Sequence, residues 1–301
     1  MWEKNESHWI RKTSEFNFID VLVYLNRNPK EVLHQVDLEN RCVTKAITID
    51  GKHIIIRLSN QDGNLSLEFL SGDVDADTKI KVGCYVDEWF DLNRDLEPFY
   101  QLASKDHLIS EVVSSYKGLR IIGVEDLFEA LCWAIMGQQI SLHVAYSLKQ
   151  KLVTTFGESV NFENKTYWLF PTPEKIGLIS LEDLREISFT QRKAEYVLGV
   201  AKLMTAGLLS REQFEGHSLE QMEKELTVIR GIGKWSANYV IMRCFRHPDA
   251  FPLADVGLHN ALKKLLNRDE KPGMQEIELL AENWTGWRAY ATFYLWRTLQ
   301  T

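Results

Sequence analysis

Between Cys42 and Val86, apolar and polar residues alternate in short runs separated by turn signals. The runs are VTKAITI, HIIIRL, LSLEFL and TKIKVGCYV, at 43–49, 53–58, 65–70 and 78–86. Asp50-Gly51 and Asp62-Gly63 stand between successive runs, and Asp-Gly between alternating segments is typical of a β-hairpin. The pattern predicts three or four antiparallel strands, covered on one face by helix-like segments at 16–25 and 87–103.

From Val124 the apolar residues recur at helical spacing instead. One stripe runs through Leu127, Leu131, Ala134 and Ile135 and ends at Gly137, and a second begins at Val144. The segment 157–180 contains Pro171 and Pro173 and is predicted to be rich in loops. A further core-facing helix is predicted at 188–204.

This change of period predicts an α+β chain. We expect an N-terminal antiparallel β-sheet domain with packed helices over residues 1–112, followed by an all-α domain over residues 113–301. No apolar run reaches 18 residues and the N-terminus lacks a signal-peptide core, so we expect a cytoplasmic protein without a membrane contact. The four cysteines are far apart, which predicts reduced thiols and no zinc or iron–sulfur site.

Two glycines, Gly231 and Gly233, lie between an apolar segment and a helix-forming run that starts near Lys234. Such a pair is usually a tight turn between two helices. It also bares backbone amides at the start of the second helix, where an anion such as a phosphate can bind. The hairpin is predicted at 226–246.

Asp255 follows the hairpin by about twenty residues and is flanked by small and apolar residues. A carboxylate in that setting is a candidate for chemistry, although an aspartate that begins a helix is most often its N-cap. His259 lies on the same side of the following helix, but a surface or capping histidine is the more common reading.

Four stretches together resemble the helix-hairpin-helix DNA glycosylase superfamily. They are GIGKWSANYV followed by FPLADVGL, LFEALCWAIMGQQIS at 127–141, SFTQRKAEYVLGVAKLM at 188–204, and WTGWRAYATFYLWR at 284–297. The β-rich start is similar to that of the alkylbase branch, although the oxoguanine branch has a similar N-terminal domain. The widely spaced cysteines depart from the iron–sulfur branch.

The resemblance assigns roles to particular residues. The hairpin residues Arg230, Gly231, Ile232, Gly233 and Lys234 are expected to grip the DNA backbone, and Asp255 to serve base excision. Trp235, Tyr239 and Trp296 match the aromatic residues that line the base pocket of the alkylbase branch, although an aromatic stripe at helical spacing is more often part of a core. The start of the helix at 188–204 is expected near the DNA backbone.

The loop Gln138, Gln139 and Ser141 matches the position that presents a wedge into the gap left by a flipped base. An apolar wedge is usual in some relatives, so the glutamine leaves this assignment open. The loop is also consistent with a simple turn in which Ser141 is an N-cap.

Trp235 occupies the position where relatives that also cut the strand have a lysine. Lys234 lies one residue earlier, rotated by about 100° on the helix, so its side chain points elsewhere. The resemblance therefore implies a monofunctional glycosylase for alkylated purines. Asp255 would stabilise a sugar with oxocarbenium character, and an aromatic wall would favour a cationic base. The alternatives are a glycosylase for oxidised or deaminated bases and a non-catalytic protein that binds DNA structure.

The net charge of −7 argues against a general nucleic-acid binder. Residues 226–301 carry 10 Lys and Arg against 7 Asp and Glu, so contacts to double-stranded DNA would be local and only modestly dependent on salt. We expect a monomer that requires no metal or other cofactor. The resemblance allows a monovalent cation on the hairpin carbonyls when DNA is bound.

Overall fold

A computed structural model describes residues 2–5, 8–13, 15–72 and 74–300. The elements of its N-terminal part are β1 Trp2–Asn5, β2 His8–Arg11, α1 Phe18–Leu25, β3 Gln35–Asp37, β4 Cys42–Ile49, β5 Lys52–Gln61, β6 Asn64–Ser71, α2 Ala76–Trp89, α3 Glu97–Ala103 and α4 Ser110–Ser115. The later elements are α5 Leu127–Gly137, α6 Leu142–Phe156, β7 Glu158–Phe162, β8 Lys165–Leu169, α7 Pro173–Gly177, α8 Leu181–Glu186, α9 Gln191–Thr205, α10 Leu219–Val228, α11 Lys234–Arg243, α12 Val256–Leu265, α13 Met274–Glu282 and α14 Arg288–Arg297.

An antiparallel sheet of six strands forms the N-terminal part, in the order β1-β2-β6-β5-β4-β3. The predicted runs at 43–49, 53–58 and 65–70 form β4, β5 and β6. Both Asp-Gly pairs have positive φ at each residue, as a type I′ turn requires: 49° and 75° at Asp50-Gly51, and 51° and 80° at Asp62-Gly63. The expected α+β class is confirmed.

Two local predictions are wrong. The run TKIKVGCYV is not a strand but lies within α2, where Asp75 caps the helix by accepting from the Thr78 N–H, and Val82, Val86 and Trp89 are buried at helical spacing. The segment 157–180 is not mainly loop, because β7 and β8 form a hairpin that packs on the large sheet through Ala46, Ile55 and Tyr167. Strands β1 and β2 add the outer edge, which the sequence pattern did not indicate.

Buried residues of the two predicted domains belong to one continuous hydrophobic core. Helix α1 contributes Phe18, Leu22 and Leu25, and it packs beside α14 through the contact between the Tyr24 and Phe293 rings, whose centroids are 4.9 Å apart. The boundary at 112/113 stays a prediction, and it lies within α4. No helix in the part of the chain that the structure describes is long and apolar enough to cross a membrane.

Candidate active site

Asp255 begins α12 and has three hydrogen-bond donors from three elements. Its Oδ1 accepts from the backbone N–H of Leu258 at 2.8 Å and from Nε1 of Trp296 at 2.8 Å, and its Oδ2 accepts from Nε1 of Trp235 at 3.2 Å. The carboxylate is half-buried. The residue is therefore an N-cap, and its charged oxygens are at the same time fixed in place by two indole groups.

Gly257 makes room for this arrangement. A Cβ atom at Gly257 would lie 2.9 Å from Oδ1 of Asp255 and 3.0 Å from Nε1 of Trp296. Any larger residue would push the indole away from the carboxylate. This role could not be predicted from the sequence, because the restriction comes from the Trp296 side chain, 39 positions later in the chain.

The three predicted pocket aromatics lie together around Asp255. The ring centroids of Trp235 and Tyr239 are 5.6 Å apart, and those of Tyr239 and Trp296 are 6.2 Å apart. Trp235 and Trp296 are half-buried while Tyr239 is buried. The Tyr239 hydroxyl accepts from Nη1 of Arg243, whose guanidinium is itself buried. The aromatic wall thus has accessible indoles and a fixed phenol at its base.

The predicted hairpin is formed by α10, the connection 229–233 and α11. Gly231 has a φ of +96°, and a Cβ there would collide with the ring of Tyr196 on α9. Gly233 is different: it caps α11 with φ −89°, is exposed, and a Cβ would meet nothing within 4 Å. The first glycine is thus needed for the turn, whereas the second leaves the first amides of α11 accessible.

The other hairpin residues have distinct positions. Ile232 is buried and anchors the turn in the core. The side chains of Arg230 and Lys234 are exposed and close to Glu195 and Glu223, at 2.8 Å and 3.9 Å. Exposed ion pairs of this kind are weak, so both cations can exchange a carboxylate for a phosphate.

The predicted wedge loop touches the hairpin. Gln138 donates through Nε2 to the Gly231 carbonyl at 2.8 Å and to Oγ of Ser236 at 3.1 Å. Gln139 is exposed and has a positive φ of 56°, and Ser141 caps α6 by accepting from the Val144 N–H. Of the two glutamines, Gln138 ties the loop to the hairpin and Gln139 projects from it.

Helix α9 contacts the C-terminal end of α5, just before the same loop. The start of this helix was expected near the DNA backbone, but the Nζ of Lys193 there is buried and donates to the Met136 carbonyl at 2.7 Å. Burial lowers the pKa of Lys193. Its neighbours Gln191 and Arg192 are exposed at the start of α9. Lys193 therefore supports the C-terminal end of α5 and is not free to bind DNA.

His259 has a structural position. Its backbone N–H donates to the Asp255 carbonyl at 3.0 Å, and its Nε2 lies 2.9 Å from the Leu253 carbonyl, to which it donates. The His259 ring thus holds the segment before α12 in place, and its hydrogen bond goes to the Leu253 carbonyl and not to the Asp255 carboxylate.

The N-terminal part of the chain also reaches the aromatic wall. Arg243 donates from Nη1 to the hydroxyl groups of both Tyr24 and Tyr239, at 2.7 Å and 2.8 Å, and from Nε to the Ile122 carbonyl at 2.7 Å. The hydrogen bond between Arg243 and Tyr24 joins residues that are 219 positions apart, so the spacing of residues along the chain could not predict it.

Comparison with known proteins identifies the family. The model of the HhH-GPD superfamily of base excision DNA repair proteins matches residues 132–286, about half of the chain. The chain belongs to this superfamily. A second model, the N-terminal domain of 8-oxoguanine DNA glycosylase, matches residues 5–131. The HhH-GPD match contains the hairpin, the wedge loop and Asp255.

Individual proteins are also similar to the chain over most of its length. The chain is 44% identical over 281 residues to a DNA-3-methyladenine glycosylase of Bacillus subtilis, covering 92% of both chains. Its fold is similar to that of a 3-methyladenine DNA glycosylase of Archaeoglobus fulgidus, with a TM-score of 0.81, 24% identity and coverage of 96% and 97%. It is also similar in fold to an 8-oxoguanine glycosylase/lyase of Clostridium acetobutylicum in complex with double-stranded DNA, with a TM-score of 0.78, 19% identity and coverage of 99% and 97%.

Proposed function

We propose that the protein is a monofunctional DNA glycosylase that releases alkylated purines of the 3-methyladenine and 7-methylguanine type from duplex DNA. The observation that carries the proposal is the carboxylate of Asp255, which is fixed by two indole N–H groups at the edge of an aromatic wall. The similarity to DNA-3-methyladenine glycosylases supports the same substrate class.

In this proposal the reaction depends on charge developing on the sugar. As the bond between the base and C1′ lengthens, the deoxyribose gains oxocarbenium character, and a fixed carboxylate stabilises that charge and orients the attacking water. Asp255 is preorganised for this role because its three donors leave it little freedom to move. A purine that is already cationic leaves without a second catalytic acid.

The flipped base would stack against the aromatic wall formed by Trp235, Tyr239 and Trp296. Binding of the duplex would use the exposed amides at the start of α11, together with Arg230 and Lys234. Gln139 is the proposed wedge, since it projects from the loop that Gln138 ties to the hairpin. The Gly231 carbonyl that accepts from Gln138 keeps a second lone pair, so a monovalent cation on the hairpin carbonyls fits, although no step depends on one.

The absence of strand cleavage is also part of the proposal. Cleavage by a Schiff base requires a lysine amine in the pocket, and Trp235 stands at the position expected for it. The side chain of Lys234 is 86% exposed and lies 3.9 Å from Glu223 on α10, whereas the α11 side chain that contacts Asp255 is the indole of Trp235. We further propose that the protein acts as a monomer in the cytoplasm.

The test is base release from duplexes that contain single alkylated, deaminated or oxidised bases, with chromatography of the free bases. The expected result is release of methylated purines and abasic strands that break only after alkali treatment. Strand breaks without alkali would show a lyase, and preferential release of 8-oxoguanine would favour the oxidised-base alternative. Tight binding to duplex DNA without release of any base would favour the non-catalytic alternative.

A further inference from the structure

Lys30 is a half-buried cation that neutral groups hold in place beside the wedge loop. Its Nζ donates to Oγ of Ser147 at 2.5 Å and lies 3.2 Å from Nε2 of His143, and both partners are on α6. The Ser147 hydroxyl donates in turn to the His143 carbonyl at 2.9 Å, so its oxygen is left to accept from the lysine. Two of the three ammonium N–H groups are thus used, and one remains for another acceptor.

This charge has no acid partner in the part of the chain that the structure describes, because no carboxylate oxygen there lies within 4.0 Å of the Lys30 Nζ. The adjacent acid, Glu31, is paired with Lys149 instead, at 3.1 Å. The backbone before Lys30 is restrained, since Pro29 fixes φ and Oδ1 of Asn28 accepts from the Lys30 N–H at 3.0 Å. The protein therefore presents a fixed ammonium group that an anion can still neutralise.

The wedge loop contacts a different part of the protein at each end. At its start, Gln138 donates to the hairpin, and just after its end, His143 contacts Lys30 of the N-terminal part. His143 follows Gln139 by four positions, a span of at most about 14 Å. Duplex DNA carries one phosphate charge per about 1.7 Å of its axis. A duplex that Gln139 enters therefore brings phosphates within reach of Lys30.

The first turn of α6 also exposes apolar side chains. Leu142 and Val144, which flank His143 in the chain, are 53% and 44% exposed. Apolar side chains that are grouped on a surface often mark a site of contact with a partner. The sugars of a DNA strand offer apolar surface beside each phosphate, so a strand suits both the ammonium group and its apolar neighbours.

We propose that Lys30, supported by His143 and Ser147, binds a phosphate of the DNA strand opposite the damaged base. The hairpin at the other end of the wedge loop holds the strand that contains the damaged base, so the two ends of the loop are each next to one strand. This inference rests on the proposed glycosylase function. It gives the N-terminal part of the chain a direct contact with the substrate.

The test measures the affinity for a duplex that carries a stable abasic analogue, by fluorescence anisotropy over a series of KCl concentrations, so that no base release is needed. In Lys30→Met the dissociation constant should rise about fivefold at low salt. The slope of its logarithm against the logarithm of the salt concentration should fall by about 0.9, because one phosphate contact is lost. Lys30→Arg, which keeps the charge, should retain the wild-type slope.

Lys151 provides the matched control. It lies on the exposed side of the same helix, and its Nζ also donates to a neutral hydroxyl, Oγ of Ser188, at 2.7 Å. It is eight residues beyond His143, or about 12 Å farther along the helix from the wedge loop. Lys151→Met should therefore leave both the affinity and the slope unchanged. Equal effects of Lys30→Met and Lys151→Met would overturn the proposal, as would a wild-type slope in Lys30→Met.

Single methylphosphonates, which replace one charged phosphate by a neutral group, assign the strand. In wild type, one such change on the strand opposite the analogue should weaken binding, and Lys30→Met should lose no further affinity at that position. A position that couples to Lys30 on the strand with the analogue, or no coupled position at all, would refute the assignment. If the coupling is found but wild type releases no base from any duplex, the glycosylase function fails and the Lys30 contact stands. If wild type binds no duplex, both fail.

Discussion

At the scale of single residues, Asp255 shows how a common structural role and a chemical role can coincide. Its N-cap bond to Leu258 fixes the backbone, and the two indole donors fix the carboxylate plane. A negative charge at a helix N-terminus also interacts favourably with the helix dipole. The same contacts that keep α12 in place thereby preorganise the group for a positively charged transition state.

Substitution of Asp255 by Asn should separate these roles. Asparagine is an equally good N-cap but cannot accept from both indole groups, so the melting temperature should fall only slightly; it also has no negative charge for the sugar. We expect single-turnover base release to fall about a hundredfold or more while the affinity for duplex DNA, measured by fluorescence anisotropy, is kept. Asp269→Asn, at an exposed aspartate, is the control. Base release near the wild-type rate would remove Asp255 from the reaction.

The residues that sequence reasoning could identify are those near a recognisable motif. Trp235, Tyr239 and Asp255 lie within or just after the hairpin segment, and Trp296 stands in a matching terminal stretch; the structure brings all four together. Gly257 was not identified. Its position matters through the contact with the distant Trp296 side chain, which a glycine does not indicate on its own.

At the scale of elements, prediction succeeded where the turn chemistry was decisive and failed where the apolar pattern fitted two periods. The segment 78–86 alternates well enough for a strand, but Val82 and Val86 are also four apart, and the Asp75 cap starts a helix. The strands β4, β5 and β6, which Asp-Gly turns join to one another, were predicted correctly. The β7–β8 hairpin was missed because its polar, exposed residues carry a weak alternating signal.

The two hairpin glycines allow a matched test of structure against binding. Gly231→Ala places a Cβ against Tyr196 at a positive φ, so it should lower the free energy of unfolding by about 1–3 kcal/mol. Gly233→Ala meets no atom within 4 Å and should leave stability nearly unchanged. It should nevertheless weaken binding to duplex DNA, because its methyl group stands where a phosphate would approach the α11 amides. Urea denaturation measures the stability of each variant, and fluorescence anisotropy measures its affinity for duplex DNA. A Gly233→Ala variant that binds DNA as tightly as wild type would contradict the proposed binding of a phosphate by the α11 amides.

At the scale of the whole molecule, buried charges join the N-terminal part to the helical part. Lys149 on α6 pairs with Glu31 and with Glu129 on α5, and all three side chains are at least 85% buried. Burial alone would raise the pKa of Glu31, but Lys149 and His34 bring it well below its usual value. A buried pair of this kind is costly to break, so the two parts should unfold together rather than one after the other.

His34, which lies beside these buried charges, should make the free energy of unfolding depend on pH. Its Nε2 donates to the Leu25 carbonyl at 3.0 Å, and burial lowers its pKa from 6.5 to about 4, with only partial opposition from Glu31. Below pH 6.5 the His34 ring is therefore protonated in the unfolded chain but neutral in the folded chain. The free energy of unfolding consequently falls progressively toward pH 4. The shift corresponds to about 3 kcal/mol for a fully buried ring, which the half-buried position of His34 reduces to about 1–2 kcal/mol.

Urea denaturation of wild type and His34→Gln at pH 7.5, 6 and 5 tests this expectation. Glutamine can still donate to the Leu25 carbonyl but takes up no proton, so the variant should lose less free energy of unfolding over this range than wild type does. The exposed His107 provides a control, and His107→Gln should follow the wild-type curve. Equal pH dependence in wild type and His34→Gln would mean that the imidazole is protonated in the folded protein, and that the junction between the two parts accepts a further positive charge without loss.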